Sequence, residues 1–102
     1  MSKDEIKLKI RNAVKQSRFR HDMRKVFLFG SYAYGVPNEK SDVDILIEFE
    51  PTARITFFDM SDIKDELEEQ LKKPVDLLTP GALSKYFRQE VLEKSEQIYA
   101  KQ

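Results

Sequence analysis

The stretch from Asp42 to Phe49 constrains the fold more than any other. Val43, Ile45, Ile47 and Phe49 fall on one face, while Asp42, Asp44, Leu46 and Glu48 fall on the other. A period of two belongs to a β-strand, whose successive side chains point to opposite sides. One face of this strand is expected to pack and the other to carry acids, with Asp42 and Asp44 projecting the same way. Upstream, Val26 to Phe29 is a short apolar run stopped by Gly30, which reads as a buried strand entering a turn.

The rest of the chain supplies helices to cover such a sheet. From Ser2 to about Arg18, Ile6, Ile10 and Val14 recur at four-residue spacing, with Ser2 or Asp4 available as a cap, so an amphipathic helix is expected. Ile55 to Leu71 places Met60, Ile63, Leu67 and Leu71 at helical steps, and Asp65, Glu66, Glu68 and Glu69 read as its solvated face. Lys72 and Lys73 suit the negative end of that helix, and Pro74 blocks its continuation. Val75 to Leu78 reads as a third strand with Asp76 pointing away from Val75 and Leu77. After the turn at Thr79, Pro80 and Gly81, a helix is expected from Leu83 to about Lys94, and Gln97 to Tyr99 either adds a short strand or trails off. The last helix carries Tyr86 and Phe87, which either complete the core or face a partner, the core being the simpler expectation. The order helix, strand, strand, helix, strand, helix makes an α/β (α+β) fold, a small mixed β-sheet with helices packed mainly on one face.

Length and charge narrow the function. At 102 residues, one domain spanning 1–102 is expected, with no room for a separate substrate domain. Lysines plus arginines number 18 and aspartates plus glutamates 18, so the basic excess of a sequence-independent nucleic-acid binder is missing and nucleic acid is not expected as the main ligand. No apolar stretch approaches the roughly 20 residues that cross a bilayer. The first residues lack the apolar run of a signal peptide and there are no cysteines, so a cytoplasmic protein is the expectation. Arg18, Arg20, Arg24 and Lys25 lie close together, either as a solvated turn or as a phosphate-attracting patch. His21 has no second histidine to join it, which makes a metal or catalytic role improbable.

Asp42 and Asp44, at i and i+2 on a strand, can share one divalent cation or bridge two; magnesium favours such oxygen ligands together with substrate phosphates. Asp76, on another strand and turned from the core, joins them if the two strands are neighbours. Gly30 lets the backbone approach a phosphate closely, and Ser31 adds amide and hydroxyl donors. Taken alone, Gly30-Ser31 is as well read as a strand-to-helix turn with Ser31 as cap. Other motifs fail: Gly30 and Gly35 have P-loop spacing, but Val36 stands where the lysine is needed. An EF-hand opening at Asp42 would put Leu46, Ile47 and Ala53 at positions that need a ligand, a glycine and a glutamate.

Gly30-Ser31, ten intervening residues and then Asp42-Val43-Asp44 resemble the signature of the minimal (MNT-type) nucleotidyltransferases of the DNA polymerase beta superfamily. The resemblance runs through Ile45 to Phe49, Glu66 to Glu68 and Val75 to Leu83, and covers roughly residues 25 to 95. It implies a nucleotidyltransferase fold and a magnesium-dependent transfer of a nucleoside monophosphate from a triphosphate such as ATP. Asp42, Asp44 and Asp76 would be the catalytic and metal-binding residues, holding two magnesium ions. Gly30 and Ser31 would orient the triphosphate. Many members are antitoxins paired with a HEPN-domain toxin, and some transfer AMP to a tyrosine of that toxin. A HEPN toxin, in a hetero-oligomer, is therefore the implied partner. The chain departs from the family at Tyr34, where arginine is common; Tyr32 and Tyr34 either pack or face the partner. A non-catalytic antitoxin that only covers its partner, and a transferase acting on a small molecule, are the alternative readings.

Overall fold

The first helix, α1 (Lys3–Gln16), forms where the four-residue apolar spacing predicts it. In this computed structural model, which describes residues 2–35 and 42–101 without the side chains of Ser31 and Tyr34, the Ser2 hydroxyl caps α1 by accepting from the Glu5 amide at 3.2 Å. Asp4 and Glu5 lie in its first turn, where carboxylates meet the positive end of the helix dipole. Its buried stripe is Ile6, Ile10, Ala13 and Val14.

Strand β1 (Met23–Phe29) leads into the short helix α2 (Ser31–Tyr34), and β2 (Val43–Phe49) follows. Helix α3 (Phe57–Leu71), strand β3 (Val75–Leu78), helix α4 (Lys85–Lys94) and strand β4 (Glu96–Ala100) complete the order, with single 3-10 turns at Arg20–Asp22 and Pro80–Ala82. The sheet runs β3-β2-β1-β4. Strand β1 is antiparallel to both β2 and β4, whereas β2 and β3 are parallel. A parallel pair needs a crossover, and α3 provides it.

Local chemistry fixes the ends of α3. Thr56 and Asp59 form a capping box: each side chain accepts from the other's amide, at 3.1 Å and 3.0 Å. The helix therefore begins at Phe57, two residues later than the apolar spacing predicts. It stops at Lys72, which takes the left-handed conformation at φ 57° and donates its amide to the Glu68 carbonyl.

The core lies between the sheet and the pair α1 and α3. Val26 and Leu28 of β1 and Val43, Ile45 and Ile47 of β2 pack with Ile6, Ile10, Ile63, Leu67 and Leu71. Tyr32 joins them at 4 % exposure, so of the two roles open to that tyrosine it packs. The opposite face of β2 is not simply an acidic surface, because Leu46 is fully buried there and stands outside the main core. The chain from residue 79 to 95 must return across β2 and β1 to reach β4. A right-handed return passes over this opposite face, and the cover explains the buried Leu46.

Several sequence expectations shift. Strand β1 starts at Met23 and takes in Arg24 and Lys25, and the segment around Gln97 is a true strand paired with β1. Helix α4 starts at Lys85 after the cap Ser84, and it has no buried residue. Tyr86 and Phe87 do not complete the core: they are 81 % and 61 % exposed. No helix among the described residues is long and apolar enough to cross a membrane.

Candidate active site

The site begins where β1 gives way to α2. Gly30 has φ +71°, a left-handed conformation that costs an ordinary residue roughly 1–2 kcal/mol. Space also demands glycine here, because a Cβ at position 30 would lie 1.9 Å from Oδ2 of Asp44 and 2.8 Å from its Cγ. The Asp44 carboxylate thus rests directly on the backbone of the turn. Ser31 opens α2; its side chain is outside the described residues, so its hydroxyl contacts are as well.

Register brings the acids together. Asp44 pairs with Phe29 on one side and with Asp76 on the other, so Asp44 and Asp76 stand on adjacent strands about 4.8 Å apart. Asp42 lies just before β2, exposed, and two residues along the chain from Asp44. The carboxyl of Asp44 is pushed up to about 6 by burial first, then by the charge of Asp76 and then by that of Asp42. All three predicted acids therefore share one electrostatic neighbourhood with Gly30. They do not close round a point: among the described residues no three His, Cys, Asp or Glu side chains form a group that could hold an ion as they stand. Asp44 is the common member, coupled to each of the other two.

Two lysines that sequence reading did not single out reach the same turn. Lys3 Nζ donates to the Ala33 carbonyl of α2 at 3.0 Å, and Lys73 Nζ lies 5.9 Å from the centre of the Tyr32 ring. Lys3 stands thirty residues from Ala33 in the chain, so no local pattern could reveal it. Position 34, with its tyrosine, has no described side chain.

Other charged residues turn out to hold the fold. Glu66 and Glu68 are not merely a solvated face: Glu66 accepts from the Ser17 hydroxyl at 2.6 Å and the Arg18 amide at 3.3 Å, and Glu68 accepts from the Val75 amide at 2.8 Å. The basic cluster is likewise engaged in structure. Arg18 pairs with Asp62 and Glu66, Arg24 with Glu48, and Arg20 donates to the Ser17 carbonyl. His21 is exposed, and its carbonyl accepts from Lys101.

Comparison with known proteins agrees with this arrangement. Protein adenylyltransferase MntA of Thermococcus cleftensis is 35 % identical over 80 residues, covering 78 % of this chain and 79 % of that protein. A solved toxin-antitoxin complex with AMP-PNP superimposes with a TM-score of 0.76 at 23 % identity, over 94 % of this chain and 74 % of that one. A solved complex of a tri-AMPylated Shewanella oneidensis HEPN toxin with an MNT antitoxin gives a TM-score of 0.69 at 19 % identity, over 97 % of this chain and 73 % of that one. At such identities the two structures speak for the fold. The family described as polymerase beta, nucleotidyltransferase matches residues 9–102, and the chain belongs to that nucleotidyltransferase family.

Proposed function

We propose that the protein transfers AMP from ATP to a hydroxyl, a tyrosyl one in the simplest case, of a partner HEPN-type toxin and thereby acts as its antitoxin in the cytoplasm. The observation that carries this reading is Asp44, seated on the Gly30 backbone and facing Asp76 across the β2–β3 ladder. The related MntA is named a protein adenylyltransferase, and the fold is shared with an antitoxin solved beside an AMPylated HEPN toxin. Both support an acceptor on a second protein.

The donor set fits divalent magnesium. Three carboxylates whose charges oppose one another, strongly enough to raise Asp44, are relieved by a hard cation with oxygen preference. Asp42, Asp44 and Asp76 would hold it, and two ions rather than one match a pair of carboxylates at i and i+2 with a third alongside. Bound magnesium would supply charge stabilisation at the phosphoryl oxygens and lower the cost of deprotonating the attacking oxygen.

The chain's own residues provide position. Gly30, having no side chain, lets a phosphate come close to the backbone, and the amides at the start of α2 with the Ser31 hydroxyl are the donors that orient it. Asp76, exposed beside half-buried Asp44, is the carboxylate open to the proton of the incoming hydroxyl. In the transfer, that oxygen bonds to the α-phosphorus, the bond to the bridging oxygen of the β-phosphate breaks, and pyrophosphate departs.

The test is intact mass of the partner after incubation with ATP and magnesium. Wild-type protein should add AMP units, and Asp42→Asn with Asp44→Asn should add none. A double variant that still adds them removes the catalytic assignment. Protection of cells by both forms, with no mass added by either, would instead establish inhibition by complex formation alone.

A further inference from the structure

Magnesium-bound ATP remains anionic, and the candidate site already gathers Asp42, Asp44 and Asp76. Like charges repel more strongly as burial lowers the effective dielectric. Positive groups must therefore stand near the turn that receives the triphosphate. That turn has none of its own, since residues 30 to 35 are glycine, serine, tyrosine, alanine, tyrosine and glycine.

Helix α1 brings one. Lys3 Nζ is held at 3.0 Å from the Ala33 carbonyl, and Ala33 lies two residues beyond Ser31, only about 3 Å along the helix axis. The ammonium thus stands within one helical turn of the first amide of α2. It is also paired with Glu96, which Lys7 shares. Glu96 faces Leu28 on β1, two residues before Gly30, so the whole Lys3–Glu96–Lys7 cluster borders the turn. The Lys3 side chain is 41 % exposed, which leaves it open to a ligand.

We propose that Lys3 is a substrate-positioning residue, placed by the Ala33 carbonyl and Glu96 so that its ammonium meets the β- and γ-phosphates of ATP. This rests on the ATP-dependent reading given above. Lys3 then supplies from α1 the charge that α2 lacks, and it discriminates triphosphate from monophosphate. Glu96 holds the ammonium in place while the site is empty and competes with the incoming phosphates for it.

The experiment compares Lys3→Ala, Lys3→Arg and Glu96→Gln, measuring affinity for magnesium with a non-hydrolysable ATP analogue and, separately, for AMP. Lys3→Ala should weaken the triphosphate by about tenfold, the size of one lost charge-assisted contact, while AMP affinity stays as in the wild type. Lys3→Arg should restore the triphosphate. Glu96→Gln, which breaks the same ion pair from its other end, should bind the triphosphate as tightly as wild type or more tightly. Equal losses for ATP analogue and AMP, or a Glu96→Gln variant that repeats the Lys3→Ala defect, would mean that Lys3 only stabilises the fold. Unchanged affinities in Lys3→Ala, beside a wild type that binds the analogue, would overturn the inference alone. A wild type that does not bind the analogue overturns the ATP reading and this inference with it.

Discussion

Asp44 and Asp76 occupy paired positions on the parallel strands β2 and β3, and burial together with this facing charge lifts the Asp44 carboxyl to about 6 from 3.8. The native state therefore binds the Asp44 proton more tightly than the unfolded chain does. By linkage, the ionised carboxylate destabilises the fold in full above pH 6, and that cost fades as pH falls towards 4. Asp44→Asn should raise Tm at pH 7 in the absence of metal. After solvent screening the gain is roughly 1 kcal/mol, or about 4–8 °C for a domain of this size. The difference between the two proteins should shrink in melts at pH 4, and magnesium should raise Tm of the wild type alone. A variant less stable than wild type at pH 7 would contradict this electrostatic picture.

Gly30→Ala combines a left-handed φ with a Cβ placed against Oδ2 of Asp44. The expected loss in stability is about 1–2 kcal/mol from the backbone alone, with more from the displaced carboxylate. Adding Asp44→Ala removes the clash, so the double variant should be less destabilised than the sum of its two parts. Chemical denaturation of the four proteins gives the coupling directly, and strict additivity would show that the two groups do not touch.

Glu68 reaches from α3 to the amide that opens β3. Removing its carboxylate leaves the amide of buried Val75 without that acceptor, a defect of about 1–3 kcal/mol. Glu68→Ala should lower Tm accordingly, and Glu68→Gln, which keeps an acceptor oxygen, should lose less. Because Asp76 follows Val75, fast amide exchange is expected across β3 in the alanine variant.

Lys72 holds the left-handed cap of α3 at φ 57°, a place where glycine is favoured. Lys72→Gly should therefore stabilise the protein by a few tenths to about 1 kcal/mol, which thermal melts can resolve. A loss of stability would mean that the lysine makes contacts worth more than the relieved backbone.

The features that could be read from the sequence are those whose signal is local. Helices α1 and α3 declare themselves by apolar spacing, and the alternation from Asp42 to Phe49 placed two acids on the face opposite the core before any coordinates were considered. Asp76 could be added because Val75 and Leu77 flank it with the same period. Contacts between distant segments were not legible: the reach of Glu66 to Ser17 and Arg18, and that of Lys3 to Ala33, depend on how α1 meets α3 and α2. Leu46 looked like an interruption of the acidic face because the cover over that face comes from a segment more than thirty residues on. Tyr86 and Phe87 have the composition of core residues, and only the path of α4 leaves them exposed.

The central claim is that Asp42, Asp44 and Asp76 hold the metal that meets a nucleotide resting on Gly30 and Ser31. A crystal grown with manganese and a non-hydrolysable ATP analogue, measured at the manganese absorption edge, tests it most directly. The expected result is anomalous density between these three carboxylates and the triphosphate, with a phosphate against the Gly30 backbone. Manganese bound elsewhere, or an analogue seated away from Gly30 with the carboxylates free of metal, would contradict it.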